Sequence, residues 1–225
     1  MCMNVTSKPN ADSKSKAAAT FAATWQYPMG PVDQPVHAFP NAKLNTTDIP
    51  IRLSNLSALN FDVAWNYGAG NDKPTSTNTS GLVDAEMNAN VCIDMFLAAD
   101  KAVSDDTTKS DYEVMVWFGA FGAATQPIGL PAGAVDHHTV NGTTFDLYAG
   151  ANAFGQKVFT WVADQNTTRF VGEISGLVNK LQANGGPQTT AWLGYIAFGS
   201  EAYSAAKNVT FSVTELAVDI QAVSA

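Results

Sequence analysis

The sequence predicts an all-β protein, an antiparallel sandwich or jelly roll with one short helix. Three observations carry this expectation. Runs rich in β-branched and aromatic residues occur at 21–27, 49–53, 59–67, 90–97, 112–118, 143–148, 157–163, 190–198 and 209–220, with the length and composition of strands. Most are separated by turn formers such as Asn141-Gly142 and Asn184-Gly185-Gly186-Pro187. One segment alone, 174–181, has helical periodicity: Ile174, Leu177, Val178 and Leu181 recur at spacings of three and four, and Asn184-Gly185 supplies a stop.

With 225 residues, 46% of them hydrophobic, the chain can bury one sizeable core, and a single domain over 1–225 is expected. Charged residues are only 14%, too few for a coiled coil. No run approaches the length of a membrane span. Twelve Lys and Arg against 20 Asp and Glu, a net charge of −8, argue against nucleic acid and against an anionic membrane as partners. A monomer is expected. The stretches 12–16, 75–80 and 119–133 read as polar or flexible loops. Asn-x-Ser/Thr sequons occur at Asn4, Asn45, Asn55, Asn78, Asn141, Asn166 and Asn208, where chance would give about three. Their excess points to a secreted glycoprotein or simply to an Asn- and Thr-rich sequence, and Met1 leads into polar residues rather than an apolar signal segment.

The chemistry is concentrated on two strands and one strand end. Along 112–118, Val114, Val116 and Phe118 share one face and Glu113, Met115 and Trp117 the other. This face is either a solvated one that happens to carry Glu or the place of a functional carboxylate; Met and Trp beside it weigh against the first, since solvated faces prefer Thr, Lys and Ser. Along 90–97, Val91, Ile93, Met95 and Leu97 share one face, and Asn90, Cys92, Asp94 and Phe96 the other. A third carboxylate, Glu201, follows the apolar run ending Phe198-Gly199-Ser200. Two carboxyl groups in different environments, flanked by aromatic rings, are what glycoside hydrolysis requires.

These residues carry a resemblance. Asp111-Tyr112-Glu113-Val114-Met115-Val116-Trp117, with Gln126-Pro127-Ile128-Gly129 after it, resembles the nucleophile strand and following loop of family 12 glycoside hydrolases. Asn90-Val91-Cys92-Ile93-Asp94-Met95-Phe96 resembles the strand of their supporting aspartate. Phe198-Gly199-Ser200-Glu201 resembles their acid/base segment, with Ser in place of Thr. The resemblance runs from about Trp25 to the C-terminus. It implies two curved antiparallel sheets with one short helix, and a retaining endo-β-1,4-glucanase acting on cellulose, mixed-linkage glucan or xyloglucan. It further implies Glu113 as nucleophile, Glu201 as acid/base, and Asp94 as the group that tunes the nucleophile. Met115, Trp117, Pro127, Tyr148 and Asn152 are implied at the cleft. Trp25 is a candidate sugar platform, but Trp25 and Trp65 fit a core equally well.

The family's usual first thirty or so residues, with an Asn-Asn-Leu-Trp segment and a Cys, have no counterpart before Met1-Cys2-Met3-Asn4-Val5. The resemblance therefore implies a chain without the family's first strands. Cys2 and Cys92 are expected as two free thiols, and 1–16 as an unpaired stretch. The stretch 66–90 is longer than the corresponding family turn. No cofactor and no metal are expected: His137-His138 reads as a polar loop pair with no ligand cluster at metal spacing, and no Gly-x-Ser-x-Gly elbow is present. A non-catalytic glucan-binding lectin is the alternative. It would need aromatic and amide groups but not a pair of glutamates.

Overall fold

The structure is a computed structural model and describes residues 1–5 and 20–223. Its strands are β1 (Cys2–Val5), β2 (Phe21–Trp25), β3 (Asn41–Lys43), β4 (Ile51–Arg52), β5 (Leu56–Ala69), β6 (Asn88–Ala98), β7 (Tyr112–Phe121), β8 (Asp136–Val140), β9 (Thr143–Ala151), β10 (Lys157–Ala163), β11 (Arg169–Glu173), β12 (Trp192–Gly199), β13 (Ala202–Ser204) and β14 (Val209–Ala222). They form a five-stranded sheet in the order β1-β2-β14-β5-β11. A nine-stranded sheet runs β3-β12-β6-β7-β10-β9-β8, with β4 on β12 and β13 on β6. The all-β expectation holds.

The period-two pattern builds the core. Leu59, Phe61, Val63, Trp65 and Tyr67 alternate inward along β5 and meet Val91, Ile93, Met95, Val114, Val116 and Phe118 of the other sheet. Each such side chain contributes about 1.5–3 kcal/mol on burial. The second face of β6 and β7 is also covered. Cys92, Met115, Trp117 and Val158 pack there as a separate apolar cluster, which is why β6 is buried along its whole length. This second face carries the site.

Several expectations need correction. One pairing is parallel: β10 runs with β7, because the β8–β9 hairpin lies outside it and the chain returns between β9 and β7. The predicted helix is α2 (Ser175–Lys180), extended by a 3-10 turn, Leu181–Asn184, and Gly185 ends it with φ 79. A second helix, α1 (Thr79–Asp84), stands where 75–80 read as loop, with the Asn78 side chain accepting from Gly81 N–H at its start. The segment 1–5 is not unpaired, since Cys2–Val5 pairs with β2; 12–16 lie outside the described residues. β7 continues to Phe121, into the stretch read as loop. His137 and His138 lie on β8 at the sheet edge. Among the described residues no group of three metal-capable side chains occurs, and no helix is long and apolar enough to cross a membrane. Cys2 is exposed, Cys92 buried, and both are free, as expected.

Candidate active site

Register places the candidate side chains in rows. Glu113 lies opposite Phe96 of β6 and Val158 of β10; Met115 lies opposite Asp94 and Thr160; Trp117 opposite Cys92. Glu113, Met115 and Trp117 therefore line one groove of about 660 Å³, together with Asn152, Glu201, Tyr203 and the strap 29–36. Its floor is rigid: Trp117 Nε1–H points to Met115 Sδ at 3.3 Å.

Glu113 is held by an amide whose orientation is fixed. Asn152 Oδ1 accepts from the N–H groups of Phe154 and Gln156, both at 3.1 Å. Its Nδ2 must then donate, to Glu113 Oε2 at 2.8 Å and to Gln156 Oε1 at 2.7 Å. Gln156 is pinned in turn by donating to the carbonyl and hydroxyl oxygens of Ser110.

Glu201 is held from two sides. Its backbone N–H donates to Asn90 Oδ1 at 2.9 Å, so Asn90 Nδ2–H faces and donates to Glu201 Oε2. The Tyr203 hydroxyl reaches the same Oε2 at 3.4 Å. Asn90 is anchored by a relay from the core. Ser200 Oγ donates to the Asn90 carbonyl at 2.5 Å. It therefore accepts from the Tyr67 hydroxyl at 3.1 Å, and that hydroxyl accepts from Trp25 Nε1–H at 2.6 Å.

The charges follow from burial and crowding. Desolvation, then the Glu113 charge, pushes Glu201 up to about 7, against the Asn90 and Tyr203 hydrogen bonds that lower it. Glu113 is also raised by desolvation, with the Asn152 donor opposing. Asp94 is raised well above its ordinary value by desolvation, then by the Glu113 and Glu201 charges. It is buried, and its Oδ1 has no protein partner. Burial and neighbouring carboxylates likewise push the Cys92 thiol up. The groove thus brings together a carboxyl that holds its proton near neutrality and one held chiefly by an amide donor.

Raised carboxyl pKa values favour the fold at low pH. Asp94 and Glu201 bind protons more tightly when folded, so their contribution is present below their ordinary values and lost as pH rises through the folded ones. The thermal midpoint is expected to fall between about pH 5 and pH 8, and Asp94→Asn to narrow that difference, as calorimetry at both values would show.

Met115, Trp117 and Asn152 line the groove. Pro127 is buried, while its neighbours Gln126 and Ile128 line it. Tyr148, opposite Thr160 on β9, is not among the groove's lining residues. Trp25 needs correction: it is 1% exposed and packs in the main core, so no sugar can stack on it. Trp65 is core too. Missed from sequence were Tyr203, Gln156, Phe154, the strap 29–36 and the hold of Asn90 on Glu201. The alternation along β6 did put Asn90 on the face of Asp94, which was the available signal. Tyr67→Phe is expected to break the relay at a group buried on all sides. It should cost about 1–3 kcal/mol of stability and lower kcat at least about threefold through a less fixed Glu201, with KM less affected. Unfolding curves and steady-state kinetics would check both.

A model described as glycosyl hydrolase family 12 matches residues 2–221. A probable xyloglucan-specific endo-beta-1,4-glucanase A of Aspergillus clavatus is 30% identical over 208 residues, covering 92% of this chain and 76% of that protein. The xyloglucan-specific endo-beta-1,4-glucanase A of Aspergillus niger is 29% identical over 210 residues, 93% of this chain and 76% of that one. Endoglucanase 3 of Trichoderma harzianum superposes with a TM-score of 0.74 at 23% identity, covering 97% of this chain and 83% of that chain. A family 12 xyloglucanase of Bacillus licheniformis, solved with ligand, gives 0.68 at 18% identity, with 93% and 84% covered. The two structural likenesses establish the jelly-roll fold.

Proposed function

Since the chain belongs to glycosyl hydrolase family 12 and is a glycoside hydrolase, we propose that it is a retaining endo-β-1,4-glucanase whose substrate is xyloglucan. The observation that carries the mechanism is the pair of carboxyl groups in one groove, with Glu201 raised to about 7 and Glu113 held by Asn152. Xyloglucan is favoured among β-glucans by the names of the curated relatives.

In the first step ionised Glu113 attacks the anomeric carbon and forms the glycosyl–enzyme ester, while Glu201 gives its proton to the departing 4-oxygen. In the second step Glu201, now a carboxylate, takes a proton from water. That water attacks the same carbon from the opposite face and frees Glu113. Protonated Asp94, opposite Met115 on the same face, favours the ionised form of Glu113 by adding no second charge beside it. A glucan-binding lectin would have no use for two glutamates anchored in this way.

We also infer work outside the cell as a glycoprotein, supported by the sequon asparagines, all seven of which are exposed. The enzymatic reading is tested by product analysis on xyloglucan: rapid loss of viscosity before reducing ends accumulate, and new reducing ends that first appear as the β anomer. Loss of single sugars from chain ends, or a first-formed α anomer, would count against it. The rate profile follows from the charges. It should fall on the alkaline side near pH 7, as Glu201 loses its proton, and on the acid side as Glu113 gains one, with a maximum below pH 7. An alkaline optimum would contradict the assignment.

A further inference from the structure

A second groove of about 620 Å³ opens beside the catalytic one and shares Met29, Ala123 and Ala124 with it. Its outer wall is α1, and its floor is the end of β7 at Ala120 and Phe121. Trp117 is the last catalytic-groove residue on β7, so this groove lies farther along the strand, to one side of the reacting centre.

Its chemistry suits a sugar ring. Met29 and Val83, 63% and 70% exposed, give it apolar edges, which can cover the C–H face of a pyranose. Glu86 offers a carboxylate acceptor and Thr79 a hydroxyl. Asn166, at the groove's edge, commits its Oδ1 to the Ala120 N–H at 3.0 Å. Asn88, in contrast, is spent within the protein: it donates to Glu86 O and Ser204 Oγ and accepts from Ala124 N–H. The residue that closes the turn after α1, Glu86, is held at φ 50, a left-handed conformation uncommon for a residue with a side chain.

We propose that this groove is a branch-binding site, which receives a xylosyl side group projecting from the glucan backbone while the backbone occupies the catalytic groove. The inference rests on the xyloglucan reading given above. A linear glucan has nothing to place there. A glucan bearing a pentose on its 6-oxygens has a ring leaving the backbone sideways, and the two grooves join at Met29, Ala123 and Ala124. The groove on the other flank, past Phe154, shares only that residue with the catalytic one and is a poorer continuation.

The test fills the groove. Val83→Trp adds a large side chain at an exposed helix position, and Glu86→Gln removes the carboxylate while keeping the shape. Each variant, made without N-glycans so that the Asn166 sequon stays bare, is assayed on xyloglucan and on unbranched mixed-linkage β-glucan. For Val83→Trp the ratio of kcat/KM on xyloglucan to that on the unbranched polymer should fall at least tenfold. For Glu86→Gln it should fall about threefold, carried by KM. An unchanged ratio, whether both activities hold or fall together, overturns the branch site. If the unmodified enzyme cleaves unbranched glucan and leaves xyloglucan intact, the substrate reading fails along with it. If it cleaves xyloglucan and Val83→Trp leaves the ratio unchanged, the branch site alone fails. Melting curves identify a variant that is misfolded, for which Val83→Phe serves as the replacement with the same expected direction.

Discussion

Glu113→Ala is expected to lower kcat by about 10⁴-fold or more, as losses of a covalent nucleophile do. The side chain stands on the second residue of β7, its carboxylate oriented by Asn152 at 2.8 Å, and Asn152 itself is locked by Gln156. Truncation to Ala leaves a space on the nucleophile's side of the sugar, and Glu201 remains as acid. Azide that enters that space would attack the anomeric carbon directly, with one inversion, and the product should be the α-glycosyl azide. Product identification by NMR checks this. A variant that keeps more than about a hundredth of the wild-type rate would remove Glu113 from the mechanism.

Glu201→Ala should cost about 10²–10⁴-fold on polymer, the range for a general acid. It should cost far less in the first step with an aryl glycoside, whose phenolate leaves without a proton. The glycosyl–enzyme then accumulates, because no base activates water. Azide needs no base, so it should restore turnover with an aryl glycoside and give the β-glycosyl azide after two inversions. The alkaline limb near pH 7 should vanish with the group that causes it. An aryl glycoside slowed as much as the polymer, with no azide effect, would contradict the acid/base role.

The legible parts were those written in local pattern. Strand alternation separated Val114, Val116 and Phe118 from Glu113, Met115 and Trp117, and the structure keeps those two faces apart. What joins distant segments was not legible. Asn90 clamps Glu201 across 111 positions, and nothing near Asn90 in the chain announces that partner. Trp25 shows the limit most clearly. On β2 it follows Phe21 and Ala23 on one face, and an apolar row reads the same whether it meets the opposite sheet or a sugar. The pairing of β2 with β14 turned it inward. Helix α1 was missed because six residues with only Leu82 buried give no period to detect, and its start depends on the Asn78 cap. The parallel β7–β10 pair arises from the order of strands in the sheet, which strand composition does not encode.

The proposed passage of the glycosyl group through Glu113 can be trapped directly. The most direct measurement is to incubate the enzyme with a 2-deoxy-2-fluoro-β-glucoside oligosaccharide bearing a good leaving group, digest it, and locate the added mass. The electronegative fluorine slows the second step more than the departure of an activated leaving group, so the intermediate persists. One label per enzyme is expected, on Glu113, released when the trapped enzyme is given an acceptor sugar. A label on Glu201 or Asp94, or no label together with a first-formed α product, would contradict it.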